Sequence, residues 1–321
     1  MLLSIIIPFY NAMPYLVDLL KSIEYQKLTN AEIIFINDGS TDDFETILNP
    51  FIEKNKNTRL ISTTNKGVAH AKNTGLSYAN GDYVWFVDAD DMMCSNAIQN
   101  IIQKIETCNN SIDIFFSKFR ILDSKTNIIS DVPYNYAPLL KEIANPKSAT
   151  VDLMDLLFSK ININFAIWYQ LFRREFLIQK KIQFDETLLV SEDLDFKIKT
   201  IANTQYVDVV DEYIYVYRTP SKNRNSLTVK KHTGDDLVPV ANMFLKWYRF
   251  FDLISNRISG QEIMRKKTAL LFYLHFKHIQ QEPITIITKK FIEDNENDFK
   301  ILYESNKTYI DSILQQLHKK K

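Results

Sequence analysis

An apolar strand followed by an amphipathic helix recurs through the first third of the chain, and this alternation limits the possible folds more than any other feature. "LLSIIIPF" reads as a buried strand. Pro14 then falls in a first helical turn, where its missing N–H is no loss, and "YLVDLLKSIEYQ" carries apolar residues at helical spacing. "AEIIFIND" is the second strand and "STDDFETILNPFIEKN" the second helix, with Ser40 or Thr41 expected as its N-cap. "TRLISTT" and "GVAHAKNTGLSYA" make a third strand and helix, and "DYVWFVDA" a fourth strand. Apolar strands joined by helices build a parallel sheet covered on both faces. Ligands of such sheets lie beyond the carboxyl ends of the strands. The chain sets its unusual polar residues there: Asn11, Asp38, Asp88 and Asp90.

Beyond about residue 110 the rhythm changes. "IDIFFSKFRIL" and "YVDVVDEYIYVYR" read as strands, "VDLMDLLFSK" and a capped "SEDLDFKIKTIA" as helices, so this half is mixed rather than doubly wound. From about residue 233, "LVPVANMFLKWYRFFDLI" and "EIMRKKTALLFYLHFKHIQ" show apolar stripes with basic faces. The expected divisions are 1–110, 111–232 and a helical extension over 233–321. The formal net charge is zero and no basic stripe interleaves with aromatics, which argues against a nucleic-acid partner. Cys94 and Cys108 show no metal-ligand spacing and are too few for a disulfide framework, which fits a reducing compartment. The N-terminus lacks a basic leader region, and no uncharged apolar run reaches the roughly 18 residues of a spanning helix. The expectation is a cytoplasmic protein that meets a membrane, if at all, from its side. "FLKWYRFF" and "RKKTALLFYLHFK" combine basic and aromatic residues as an anionic bilayer surface would require, although packing against the rest of the chain uses such stripes equally well.

The sequence "VWFVDADD" ends a hydrophobic strand with three carboxylates. Each raises the cost of ionising the next unless something compensates. In an extended turn Asp88 and Asp90 point one way and Asp91 the other, so two hard oxygen ligands share a side and suit Mg²⁺ or Mn²⁺. Taken alone, a D-x-D is equally a solvated acidic turn. Asp38, at the end of the second strand, can accept from a base N–H or a ribose hydroxyl, or can simply cap a helix. Lys66 and Lys72 flank a helix start at Gly67, where either can meet a diphosphate as a point charge or remain a solvated lysine. Arg218 and Arg224 offer guanidinium forks for phosphate oxygens, from what is otherwise an ordinary loop. Trp168 and Tyr169 offer a sugar-stacking wall or core aromatics.

In order and spacing, "SIIIPFYN", "INDGSTDD", "NKGVAHAKNTG" and "VWFVDADD" resemble the family-2 glycosyltransferases of GT-A fold. "IWYQLFRREFL", "FDETLLVSEDLDF" and "YVYRTPSKNRNSLT" are similar to the acceptor half of bacterial members that build surface polysaccharides and lipooligosaccharides. The resemblance covers about residues 3–229. It implies an α/β GT-A fold, a nucleotide-sugar donor (a UDP-sugar by default), Mn²⁺ or Mg²⁺, a glycan or lipid-linked acceptor, and displacement with inversion. Residues 1–110 would then bind donor and 111–232 acceptor. Pro8 and Tyr10, beside Asn11, would shape the base pocket, Asp38 would bind the base, and Lys66 and Lys72 would lie towards the donor. Asp88 would meet ribose or metal, and Asp90 the metal. Asp193 would be the general base, kept ionised by its helix N-terminus, with Glu192 and Trp168 on the acceptor. The family commonly has arginine where this chain has Lys72, so a bidentate phosphate contact there is lost. The alternatives are a nucleotidyltransferase, which needs a glycine-rich phosphate loop that "PFYNAMPY" does not supply, and a GT-A-like binding module without turnover.

Overall fold

Seven consecutive buried residues make β1 (Leu3–Phe9) a central strand. It pairs in parallel with β2 (Ala31–Asp38) on one side and β4 (Tyr83–Phe86) on the other. β3 (Thr58–Thr63) extends the sheet beyond β2, again parallel. The computed structural model describes residues 1–108, 111–132, 166–219, 232–254, 259–281 and 285–318. The helix expected at "VDLMDLLFSK" and the loop residue Arg224 lie outside the described residues.

The connections between parallel strands are helical: α1 (Met13–Glu24), α2 (Glu45–Lys54) and α3 (Val68–Tyr78). Pro14 falls in the first turn of α1, and the Met13 N–H donates to Asp42 Oδ2 at 2.8 Å from the loop after β2. α2 begins at Glu45, later than expected, with no side-chain cap. Ser40 and Thr41 are otherwise engaged. The Asn11 N–H donates to Ser40 Oγ at 3.0 Å, and the Thr41 N–H donates to Asn11 Oδ1 at 2.8 Å. α3 lies close on β1 because Ala71 and Gly75 are small; a Cβ at Gly75 would stand 2.3 Å from Ile6 Cγ2.

The sheet continues through β8 (Gln170–Arg173), β6 (Ile114–Asp123), β9 (Val207–Arg218) and β5 (Met92–Met93), with β7 (Ile128–Asp131) pairing β6. β4–β8, β6–β8, β5–β9 and β6–β7 are antiparallel, whereas β6–β9 is parallel, so this half of the sheet is mixed. α4 (Ala97–Glu106), the short α5 (Arg174–Gln179) and α6 (Glu192–Asn203) complete this part. The chain divides into two compact units. One holds the whole sheet; the other holds α7 (Gly234–Ile254), α8 (Ser259–Gln281) and α9 (Ile286–His318). Among the described residues, no helix is long and apolar enough to cross a membrane.

Candidate active site

Four parallel strands end on the same edge of the sheet, and their loops are tied together by buried polar groups. Asp38 is only 4% exposed, and its two oxygens accept the backbone N–H groups of Lys66 and Gly67, each at 2.9 Å. It therefore fastens the start of α3 to the end of β2, a carboxylate at a helix N-terminus. The turn after it needs glycine: Gly39 has φ 73°, and a Cβ there would stand 2.7 Å from the Asn65 nitrogen. Pro8 is buried and faces the β4 side of β1, beyond the point where pairing with β4 stops at Ile6 and Phe86, so its missing N–H costs the ladder nothing. Tyr10 is half exposed at 51%, and Asn11, at φ 48°, and Lys66 are exposed beside these loops.

The carboxylates of Asp88, Asp90 and Asp91 each place an oxygen within 4.8 Å of the other two. The loop is not extended, as alternation would have it. The Asp91 N–H donates to the Asp88 carbonyl at 3.2 Å, closing a turn that returns Asp91 towards Asp88. Asp91 is buried, and it accepts from the Tyr215 hydroxyl at 2.6 Å through Oδ2 and from the Arg218 N–H at 2.8 Å through Oδ1. Burial and the neighbouring Asp88 charge hold its pKa well above the usual carboxylate range, against those two hydrogen bonds. Asp91 thus joins the loop to β9, while Asp88 and Asp90 are the more exposed members. Tyr215 serves the loop twice, since its hydroxyl also accepts the Asp88 N–H at 3.2 Å.

Arg218 was expected to reach a leaving diphosphate. Its Nη2 instead donates to Asp18 Oδ2 at 2.8 Å and its Nε to the Asp90 carbonyl at 3.0 Å, with the guanidinium 5.7 Å from the Tyr15 ring centre. Reading the sequence for this site missed Asp18 and Tyr215. Asp18 carries no local signal, being one polar residue on a helix; Tyr215 belongs to "YIYVYR", where period-two tyrosines mark one face of β9.

In the mixed half, α6 begins with Glu192 and Asp193 directly after Ser191, whose φ of 66° is a left-handed conformation unusual for serine. Ser191 makes no side-chain cap, contrary to the expected capped start. Lys72, 2% exposed, is brought here from α3: its Nζ donates to Glu192 Oε1 at 3.0 Å and to Asp193 Oδ1 at 2.5 Å. Burial opposes the lysine's charge, but the carboxylates of Asp193, Glu192 and Asp88 together outweigh it and raise the lysine's pKa. About a fifth of the Asp193 side chain reaches solvent, at 19%. Burial of the remainder pushes its pKa up to about 7, with Lys72 opposing and Glu192 and Asp88 adding to the rise. Trp168 is 3% exposed and stacks on Tyr215 at 4.4 Å and Tyr217 at 5.4 Å, and Tyr169 is fully buried. Both are core aromatics, and Trp168 offers no open ring face to a sugar.

A mixed α/β sheet with an acidic loop after its fourth strand defines the class, and comparison with known proteins gives the family. The model of "Glycosyl transferase family 2" matches residues 4–174, more than half of the chain. The chain belongs to that family. It is 31% identical over 229 residues to the "Uncharacterized glycosyltransferase EpsJ" of Bacillus subtilis, covering 71% of this chain and 63% of EpsJ. Less than two thirds of that relative is therefore spanned. It is 26% identical over 322 residues to the "Cholesterol galactosyltransferase" of Borreliella burgdorferi, covering 98% of this chain and 82% of that protein. The crystal structure of S. aureus TarS residues 1–349 in complex with UDP-GlcNAc superposes with a TM-score of 0.61 at 17% identity, covering 97% and 92% of the two chains. The fold is GT-A, with a C-terminal helical region.

Proposed function

We propose that this chain transfers one sugar from a nucleoside-diphosphate sugar, UDP-linked by preference, to a glycan or lipid-linked glycan, with inversion at the anomeric carbon. The observation that carries this reading is geometric: in a chain of this family, Asp88, Asp90 and Asp91 gather carboxylate oxygens within 4.8 Å of one another after β4, and Lys72 of α3 joins the Glu192 and Asp193 carboxylates of α6. Asp193 takes the proton of the acceptor hydroxyl as its oxygen attacks the anomeric carbon; the bond to the diphosphate breaks, and the nucleoside diphosphate leaves. Glu192 orients the acceptor. Tyr10, Asn11, Pro8, Asp38 and Lys66 surround the nucleoside end of the donor.

The donor set fits a hard divalent cation. Asp88 and Asp90 supply carboxylate oxygens, and Asp91, its pKa raised by burial and then by the Asp88 charge, stands within 4.8 Å of both. Mn²⁺ or Mg²⁺ held there would neutralise charge on the departing diphosphate. The UDP-GlcNAc bound to TarS supports the choice of UDP. The alignment along almost the whole chain with a protein named a cholesterol galactosyltransferase supports an acceptor with a lipid part, and our reading sets the reaction at the inner face of the cytoplasmic membrane in surface-polysaccharide or lipooligosaccharide synthesis.

The test is calorimetric titration of a panel of nucleoside diphosphates and their sugars into the full chain, with Mn²⁺ and with chelator. One nucleoside diphosphate should bind only when metal is present. Asp90→Ala should lose that binding, and Asp193→Asn should keep it while transfer disappears. A folded protein that binds none of the panel overturns the reading.

A further inference from the structure

Helix α3 is fastened at three places to the elements that form the site. Its start is held by Asp38, its middle rests on Ile6 through Gly75, and its outer face grips the segment before α6. In that grip Asn73 behaves like a strand partner, donating to the Phe184 carbonyl at 3.0 Å and accepting the Phe184 N–H at 2.9 Å. Asn73 also donates to Glu186 at 2.8 Å, and His70 meets Glu186 at 3.0 Å. Phe184 stacks on Phe196 of α6 with centroids 4.0 Å apart, and the Lys72 ammonium stands 5.3 Å from the Phe184 ring centre. Lys72 therefore projects from a fixed helix, across a fixed ring, onto the first two residues of α6.

We propose that Lys72 is a positioning residue acting through Asp193: it holds the base carboxylate in place and offsets the adjacent negative charges, and it makes no contact with the donor diphosphate. The inference rests on the reading of Asp193 as the general base. An ammonium that left these two carboxylates for a phosphate would strand them, part-buried and unpaired, at the cost that accompanies any such charge. Among the described residues, the charged groups that act on Asp193 include Lys72 from α3, Asp88 from the loop after β4, and Glu192 and Lys197 from its own helix. Of these, Lys72 donates a hydrogen bond to the Asp193 carboxylate. Without it, the adjacent Glu192 carboxylate acts on Asp193 with nothing from α3 to offset it, so Asp193 would ionise only at higher pH.

The experiment compares the full-length protein with Lys72→Met and Lys72→Arg. For Lys72→Met, metal-dependent nucleoside-diphosphate affinity should stay within about threefold, kcat at neutral pH should fall roughly 100-fold, and the acid limb of the rate profile should move up by about one pH unit or more. Lys72→Arg should recover at least about tenfold of the lost rate, because a guanidinium can hold the same carboxylates. A tenfold or greater loss of diphosphate binding with an unmoved pH limb would make Lys72 a donor ligand and overturn the proposal. Parallel loss of every parameter, unrescued by arginine, would make it a structural residue and also overturn it. Wild-type protein that neither binds a nucleoside diphosphate nor transfers sugar would refute the proposed activity instead. The Lys72–Asp193 link is then decided by thermal unfolding of Lys72→Met, Asp193→Asn and the double variant: a non-additive Tm shift sustains it, and an additive one overturns it.

Discussion

Asp193 gives the residue-scale chemistry its pH dependence. Burial holds its pKa above the usual carboxylate range, and the base proposed here works only when ionised. Transfer should therefore fall about tenfold per pH unit along an acid limb that lies above the ordinary carboxylate range; a profile already flat from pH 5 would show a base with an ordinary carboxylate pKa. Tyr215 is the second residue to test, since a single buried hydroxyl donates to Asp91 and accepts from the Asp88 N–H. Tyr215→Phe removes both hydrogen bonds and leaves the buried Asp91 with the Arg218 N–H alone of its two donors described above, at a cost of about 1–3 kcal/mol in chemical denaturation, with weaker metal-dependent nucleotide binding. Wild-type stability and binding in that variant would mean that the acidic loop holds its shape without the tyrosine. The motif residues themselves were legible in the sequence, because acids at strand ends and a helix start are local patterns. Their partners were not. Lys72 and Asp193 are separated by 121 positions, and nothing local to either joins them.

At the scale of elements, two glycines hold the backbone near the carboxyl edge: Gly39 in the turn after β2 and Gly75 within α3. Gly39 combines a positive φ with a Cβ position 2.7 Å from backbone. Gly39→Ala should cost about 1–3 kcal/mol and loosen the Ser40 and Thr41 ties to Asn11, which hydrogen exchange of the loop amides would detect. Gly75→Ala drives a methyl group into Ile6, and overpacking of this kind costs about 1–3 kcal/mol. If α3 also carries Lys72 to Asp193, that variant should lose transfer rate beyond what its stability explains. The strands and helices of the first third follow from apolar runs and their period, which is why they were readable. The start of α2 was not. Ser40 and Thr41 are good caps by local chemistry, but Asn11, thirty residues earlier and at φ 48°, takes their hydrogen bonds and leaves the helix to begin at Glu45.

For the whole molecule, ligand binding should protect one unit. With Mn²⁺ and saturating nucleoside diphosphate at about 100 times Kd, linkage adds about 2.7 kcal/mol to the state that binds, and chelator should remove the gain. Hydrogen-exchange protection should concentrate around residues 8–12, 38–41, 66–72 and 88–92; protection confined to α7–α9 would put the ligand in the other unit. Sequence alone determined the parallel half of the sheet, the edge at which polar residues collect and the family motifs, because each depends on residues close together in the chain. Tertiary structure alone decided that Trp168 is core, that Arg218 is held by Asp18 and the Asp90 carbonyl, and that Lys72 belongs to the carboxylate pair. The physical reason is the same in each case. Whether a ring stacks on a sugar or on tyrosine, or a cation meets phosphate or carboxylate, depends on which distant element closes over it, and sheet pairing and helix packing set that.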